Sequence, residues 1–308
     1  STKRTPFTTR PSFTSRHGIR RLQSMAAYCT AATAAARSTA PPAAPALTVD
    51  QLLDKMESVR KDLKTFKADV VKLRKADLLI VVGLELEIGW LPPLIQQSGN
   101  PRIQVAAPGY LDASRFAKIL EIPSGQVTRA EGDVHPQGNP HYWLDPDNGL
   151  RIAKGIQNKL SEMRPADAAY FAGRYAAFEQ RLQQADATWT AQMQPYAGRK
   201  VVTYHRSWPN FAEHFHLDVI GYVEPRPGIP PSPQHTVELI QMMKRDGVKI
   251  ILVEPYFDLK TPNSVARETG AKVVVMMPSV GGEKEITDYF KLFEYDIAKL
   301  KQAFDATK

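Results

Sequence analysis

The second half of the chain alternates between two hydrophobic periodicities. Short, nearly continuous apolar runs predict buried strands at 200–203, 218–222, 249–253 and 272–276. Segments with apolar residues at every third or fourth position predict helices at about 210–215, 236–245, 261–269 and 285–304. Gly247 and Gly270 follow two of these segments, where a glycine commonly ends a helix. Strands that alternate with helices predict an α/β fold with a mostly parallel sheet covered on both faces.

The first half contains a longer helical pattern and weaker strand signals. Apolar and aromatic residues recur at steps of four and three over 167–193, which predicts a helix of about 40 Å. The triplet Asp-Pro-Asp at 145–147 predicts the start of a preceding helix, because capping carboxylates and an early proline favour a helix N-terminus. That helix should stop before Pro165. Upstream, we expect a helix at 48–75, strands at 78–82 and 102–105, and a helix at about 88–98.

The formal charge of +8 is concentrated at one end of the sequence. Residues 1–47 hold seven basic residues and no acidic one, which leaves 33 basic and 32 acidic residues in the rest of the chain. The excess charge therefore belongs to a segment and not to a binding face, and we expect no nucleic-acid partner. Segment 1–47 is rich in Ser, Thr and Arg and then in Ala and Pro, which predicts a disordered leader without a clear signal-peptide pattern.

Cysteine usage and hydropathy exclude two classes of protein. The single cysteine, Cys29, lies in the basic segment, so neither disulfides nor thiolate metal sites are expected in the folded body. No apolar run approaches the roughly 18–20 residues that a membrane-spanning helix needs. The sequence also has no His-Glu-x-x-His helix, nucleophile elbow, phosphate loop or dinucleotide fingerprint, and we therefore expect that the protein is not an enzyme.

Two histidines occupy positions where α/β proteins often bind ligands. His205 follows the strand predicted at 200–203, and His141 lies in the loop before the helix that starts near Asp145. Imidazole nitrogens held in short loops suit a borderline metal such as zinc. The same residues, taken singly, also fit ordinary hydrogen-bonded loop histidines, so the pattern alone leaves both interpretations open. His214 and His216 are expected to be solvated, and His235 to begin a helix.

The block Asn-Pro-His-Tyr-Trp-Leu-Asp-Pro at 139–146 resembles the Asp-Pro-His-x-Trp-Leu-Asp-Pro motif of the TroA-like metal receptors, the substrate-binding proteins of zinc and manganese ABC transporters. Further similarity occurs in the same order along the chain. It includes the Ala-Asp-Leu-Leu strand and following helix at 76–90, Val-Thr-Tyr-His at 202–205, Pro-Ser-Pro at 231–233, Val-Glu-Pro at 253–255, and Glu-Thr-Gly-Ala-Lys-Val at 268–273. The similarity covers roughly residues 70–305.

The resemblance implies two α/β lobes, with mostly parallel sheets, joined by one long helix and holding the metal in the cleft between them. On this chain the expected divisions are a leader at 1–47, a partial first lobe at 48–164, a linker helix at 165–195 and a second lobe at 196–308. The first lobe is expected to be incomplete, because a charged helical segment stands where the family has its first strands.

By the same resemblance, His141 and His205 are the expected metal ligands, one from each lobe. Nitrogen ligands favour Zn²⁺, with Mn²⁺ as the weaker alternative because manganese prefers carboxylate oxygen. The implied role is that of a monomeric periplasmic or extracytoplasmic receptor, which delivers the ion to the membrane permease of an ABC transporter.

Two departures from the family pattern leave the ligand set open. The family's other first-lobe histidine is missing, since no histidine lies between His17 and His135, and Met277 stands where many members have an aspartate. Either His135 or Glu254 could complete the site. The alternatives to a working receptor are a receptor relic that binds nothing tightly and a zinc-dependent hydrolase.

Overall fold

The structure, a computed structural model, describes residues 65–125 and 135–307. The chain divides into two compact units. Of the described residues, 65–76 and 88–104 belong to one unit, and 77–87, 105–125 and 135–307 belong to the other. The predicted leader and the first part of the helix predicted at 48–75 lie outside the described residues.

In the first unit, residues 65–75 are helical, and α1 spans Leu91–Ser98. The amide of Asn100 joins them, since its Nδ2 donates to the carbonyl oxygens of Leu73 and Ala76 at 2.8 and 2.7 Å. The prediction of a strand at 102–105 is wrong, because Pro101–Ile103 forms a 3₁₀ turn. The side chain of Asn100 accepts a hydrogen bond from the backbone N–H of Arg102 and so favours this turn over an extended strand.

The second unit begins with a small parallel sheet of two strands. Strand β1 spans Leu79–Val81 and pairs with β2 at Tyr110–Asp112. The predicted strand at 78–82 is thus confirmed. Glu87 closes the loop after β1 by accepting hydrogen bonds from the backbone N–H groups of Val82 and Gly83 at 2.6 and 3.1 Å. Burial nevertheless raises the pKa of Glu87 above its ordinary value, against the lowering effect of these two bonds.

Two long helices follow in the same unit. Helix α2 spans Pro146–Met163, and the side chain of Asp145 caps it by accepting from the backbone N–H of Asp147 at 2.8 Å. Helix α3 spans Ala168–Met193, and its 26 residues correspond to about 39 Å. Both predicted helices are confirmed. The buried residues of α3 are Leu182, Trp189 and Met193, all in its C-terminal half, so the hydrophobic stripe reaches the core along part of its length.

The main sheet has four parallel strands in the order β4-β3-β5-β6. The strands are β3 Lys200–Thr203, β4 Asp218–Tyr222, β5 Ile250–Val253 and β6 Lys272–Val275. The intervening helices are α4 Pro209–His214, α5 Pro233–Asp246 and α6 Lys260–Thr269, and α7 Tyr289–Asp305 closes the fold. Gly247 and Gly270 adopt left-handed conformations at the ends of α5 and α6, as predicted.

Both faces of this sheet are covered, because alternate residues of the central strand β5 enter different cores. Ile250 and Leu252 of β5 join a cluster with Trp189, Phe293 and other residues of α3 and α7. Ile251 and Val253 pack on the opposite face, in a cluster with residues of α5 and α6. The α/β class with mostly parallel sheets is confirmed. Among the described residues, no helix has the length and apolar character needed to cross a membrane.

Candidate metal-binding site

The strand order of the main sheet determines where His205 lies. The chain passes from β3 to β4 on one side and later returns to β5 on the other side of β3. Open parallel sheets bind ligands at such a switch point, beyond the carboxyl ends of the strands. His205 stands two residues after the end of β3, and its carbonyl oxygen accepts a hydrogen bond from the hydroxyl of Thr203 at 2.7 Å. The short bonded loop fixes the backbone that carries the imidazole.

The ring of His205 has a carboxylate partner that the sequence did not suggest. Its Nδ1 lies 2.6 Å from Oε2 of Glu224, a residue that follows the end of β4. The side chains of His205 and Glu224 are 12% and 5% exposed, so the contact is shielded from water. A carboxylate at Nδ1 accepts a hydrogen bond from Nδ1–H and, in the neutral ring, leaves Nε2 as the nitrogen with the lone pair. The signal that could have predicted Glu224 is its position at the carboxyl end of a strand beside β3.

His141 is held by the residues that surround it in the motif. It precedes a 3₁₀ turn at Tyr142–Leu144, in which Tyr142 and Leu144 are each 1% exposed. The phenol of Tyr142 donates to the carbonyl oxygen of Val82, at the end of β1, and the backbone N–H of His141 donates to Oδ1 of Asn139 at 2.9 Å. The buried turn therefore fixes the backbone of His141, whose side chain is half-buried.

The structure brings the two predicted ligands together. The ring centroids of His141 and His205 are 5.9 Å apart, with ring planes inclined at 85°. Two imidazoles on one tetrahedral zinc ion, each with a Zn–N distance of about 2.0–2.1 Å, have centroids roughly 5.2 Å apart, because each centroid lies about 3.2 Å from the metal. The observed separation is longer by less than about 1 Å, so a small approach of the two rings would let them share one ion. Trp143 and Phe257 flank the pair, with ring centroids 5.3 Å from His141 and 5.7 Å from His205, respectively.

A polar network joins residues that lie near the two histidines in the sequence. Nδ2 of Asn139 donates to Oε2 of Glu121 at 2.8 Å and to the carbonyl oxygen of Arg206 at 2.7 Å. Oε1 of Glu121 accepts from the guanidinium of Arg206 and from the phenol of Tyr222, both at 3.0 Å. Burial and then the charge of Glu121 raise the pKa of Tyr222 far above its ordinary value, so the phenol remains a donor. The network links the residues adjoining His141 to those adjoining His205.

Glu254 and His135, the residues predicted as possible further ligands, differ in burial. Glu254 directly follows β5 and is fully buried. The backbone N–H of Tyr204 donates to the carbonyl oxygen of Leu252 at 2.7 Å, so the β3–β5 pairing continues towards His205 and Glu254. His135 is half-buried in a turn, where its carbonyl oxygen accepts from the N–H of Gly138 at 3.1 Å. Met277 is only 2% exposed.

Among the remaining histidines, His214 is not solvated as expected. Its side chain is only 11% exposed, and it lies between two carboxylates, with Nδ1 3.0 Å from Asp145 and Nε2 2.7 Å from Asp186. Burial lowers the pKa of His214, but the two hydrogen-bonded carboxylates outweigh it and raise the pKa to about 9. The expectation that His214 is solvated was wrong because Asp186 lies on α3, far away in sequence. His216 is exposed as expected.

The fold and the proximity of His141 and His205 agree with a substrate-binding protein of the metal-capturing kind. The family described as ZnuA, the periplasmic component A of the zinc-uptake complex, matches residues 43–303. The chain belongs to that family. This assignment agrees with the resemblance carried by the motifs at 139–146 and 202–205.

Curated relatives carry the same kind of description. The high-affinity zinc uptake system protein ZnuA of Yersinia pestis is 25% identical over 226 residues, which cover 70% of this chain and 71% of that protein. The zinc-binding protein AdcA of Streptococcus pyogenes serotype M1 is 28% identical over 171 residues, which cover 54% of this chain but 33% of that protein. The similarity to AdcA therefore concerns one part of a longer protein.

Solved structures share the fold. A crystal structure of ZnuA matches with a TM-score of 0.60 and 24% identity, over 76% of this chain and 82% of that chain. The manganese-bound periplasmic metal-binding protein of Candidatus Liberibacter asiaticus matches with a TM-score of 0.61 and 18% identity, over 78% of this chain and 84% of that chain. At these identities the likeness concerns the fold.

Proposed function

We propose that this protein captures Zn²⁺ outside the cytoplasm and delivers it to the permease of an ABC transporter. The observation that supports this proposal most strongly is the convergence of His141 and His205, whose ring centroids are 5.9 Å apart. Membership of the ZnuA family and the description of the Yersinia pestis relative as a zinc uptake protein support the same role.

The proposed binding mode uses Nε2 of His205 as one ligand and His141 as another. Two nitrogen donors favour zinc over manganese, because manganese prefers oxygen ligands. The sequence offers Glu254 and His135 for completing the coordination shell, but within the described residues neither forms with both His141 and His205 a group of ligand atoms that lie within 4.8 Å of one another. Solvent can supply a further ligand. We propose that the lobes at 48–164 and 196–308 contribute one histidine each, with the linker helix at 165–195 between them, and that the receptor acts as a monomer.

A competition titration against a chromogenic zinc chelator tests the proposal. The wild type should bind one zinc ion with a dissociation constant well below about 1 µM, and His141→Ala and His205→Ala should each weaken binding at least about 100-fold. His216→Asn is the matched control, because His216 is exposed and has a φ of 57°, a conformation that asparagine tolerates. It should bind zinc as the wild type does.

The same titration separates the alternatives. A receptor relic would bind zinc weakly in the wild type, and neither alanine variant would change the affinity. Replacing zinc with manganese should give weaker binding, and equal or tighter manganese binding would contradict the proposed metal preference. Hydrolysis of generic ester and phosphate substrates by the zinc-loaded protein would favour the hydrolase alternative.

A further inference from the structure

The backbone of Glu224 is fixed directly beside the His205 loop. The N–H of Val223 donates to the carbonyl oxygen of Thr203 at 2.8 Å, and the N–H of Glu224 donates to that of Tyr204 at 2.9 Å. The pairing of β3 and β4 therefore continues past the ends of both strands. This continuation places the Glu224 side chain next to the imidazole of His205 through backbone bonds that do not depend on a metal.

The carboxylate of Glu224 has a defined donor at each oxygen. Oε2 lies 2.6 Å from Nδ1 of His205, and Oε1 accepts from the backbone N–H of Gly228 at 2.9 Å. Gly228 has a φ of 81°, a left-handed conformation that favours glycine. The loop from Glu224 to Gly228 thus folds back on the carboxylate and fixes its orientation. The side chain of Glu224, 5% exposed, is separated from bulk water.

We propose that Glu224 is the positioning residue of the zinc site, acting through His205. It holds the imidazole in the tautomer that carries the proton on Nδ1, so that Nε2 presents its lone pair to the metal. A carboxylate acceptor also increases the electron density of the ring and so strengthens Nε2 as a donor to a borderline cation. This inference rests on the proposed function and adds a residue that sets the strength of zinc binding.

The donors at Nδ1 of His205 and at the N–H of Gly228 make Glu224→Gln an informative change. A carboxylate offers an acceptor oxygen to each donor, whereas a glutamine amide offers one acceptor and one donor group. If the amide oxygen faces His205, the N–H of Gly228 meets the amide nitrogen and loses its acceptor. If the amide nitrogen faces His205, Nδ1 must accept, and the ring proton moves to Nε2, which then cannot bind zinc.

The experiment combines ring NMR with zinc titration. Long-range ¹H–¹⁵N spectra of histidine-labelled, zinc-free protein report which ring nitrogen carries the proton, and His205→Ala identifies the His205 signals. The wild type should show the Nδ1–H tautomer, and Glu224→Gln should show partial or complete conversion to the Nε2–H tautomer. The variant should also bind zinc about 10- to 100-fold more weakly. Glu285→Gln, a change of the same kind at an exposed residue, should alter neither result.

Two results would overturn the inference. One is a Glu224→Gln variant that keeps the wild-type tautomer, and the other is a variant that binds zinc as tightly as the wild type and Glu285→Gln. A tautomer change without a loss of affinity, or the reverse, therefore also counts against it. Failure of the wild type to bind zinc would instead overturn the proposed function. Far-ultraviolet circular dichroism and the urea midpoint of each variant establish that the comparison is made between folded proteins.

Discussion

His214 allows a pH-dependent contribution to stability to be worked out from the structure. Its two ring nitrogens bridge Asp145, which caps α2, and Asp186, which lies on α3. The side chains of Asp145 and Asp186 are 13% and 24% exposed. Both ring nitrogens can donate only when the imidazole is protonated, so the bridge is a charged one that joins α2, α3 and α4.

The size of this contribution to the free energy of unfolding follows from the pKa of His214. The two carboxylates raise that pKa to about 9 against the opposing effect of burial. Because the pKa is higher in the folded protein than the ordinary 6.5, protonation stabilises the fold. The full contribution, roughly 3 kcal/mol, is present below about pH 6.5 and is lost as the pH rises through about 9. Tyr289, packed near the same carboxylates, does not titrate in this window, since burial raises its pKa well above the ordinary value.

Urea unfolding of the wild type and of His214→Gln, in the presence of a metal chelator, measures this contribution. The variant carries no charge at this position, so the stability difference between the two proteins should shrink by roughly 2–3 kcal/mol between about pH 7 and about pH 10. His216→Asn should follow the wild-type pH profile. Parallel profiles for the wild type and His214→Gln would refute the reasoning, because they would mean that His214 is neutral in the folded protein.

Two further substitutions test how the site is supported. Asn139→Ala removes hydrogen bonds to Glu121, Arg206 and the N–H of His141. We expect the free energy of unfolding, measured in urea, to fall by about 2–3 kcal/mol and the zinc affinity to fall clearly. Unchanged zinc binding would contradict the supporting role of Asn139. Gly155→Ala in α2 would place a Cβ 2.4 Å from the ring of Phe116, so unfolding should show destabilisation by about 1–3 kcal/mol. Stabilisation, as helix propensity alone would give, would contradict the packing.

The sequence predicted most of the fold where burial and local signals agree. The strands at 200–203 and 218–222 have the bounds predicted, because each is an apolar run bounded by loop or helix-starting residues. The start of α2 was also predictable, since Asp145 caps the helix through a local bond. At 102–105 the apolar signal was misleading, because Pro101 and the side chain of Asn100 favour a turn.

The candidate site was only partly predictable, because its supporting contacts join distant parts of the sequence. His141 and His205 were found through motifs, but no local pattern indicated that Glu224 would lie against His205, 19 positions away. The carboxylate partner of His214 on α3 is 28 positions away and was missed for the same reason. Such pairings depend on how strands and helices assemble, which hydrophobic periodicity does not specify.

X-ray absorption spectroscopy at the zinc edge tests the shared site most directly. With one equivalent of zinc bound, the wild type should show nitrogen ligands at about 2.0–2.1 Å and outer-shell scattering from at least two imidazoles. His141→Ala and His205→Ala should each reduce that scattering by one imidazole. A wild-type spectrum without imidazole scattering, or one that neither substitution changes, would contradict the claim that both rings bind the same ion.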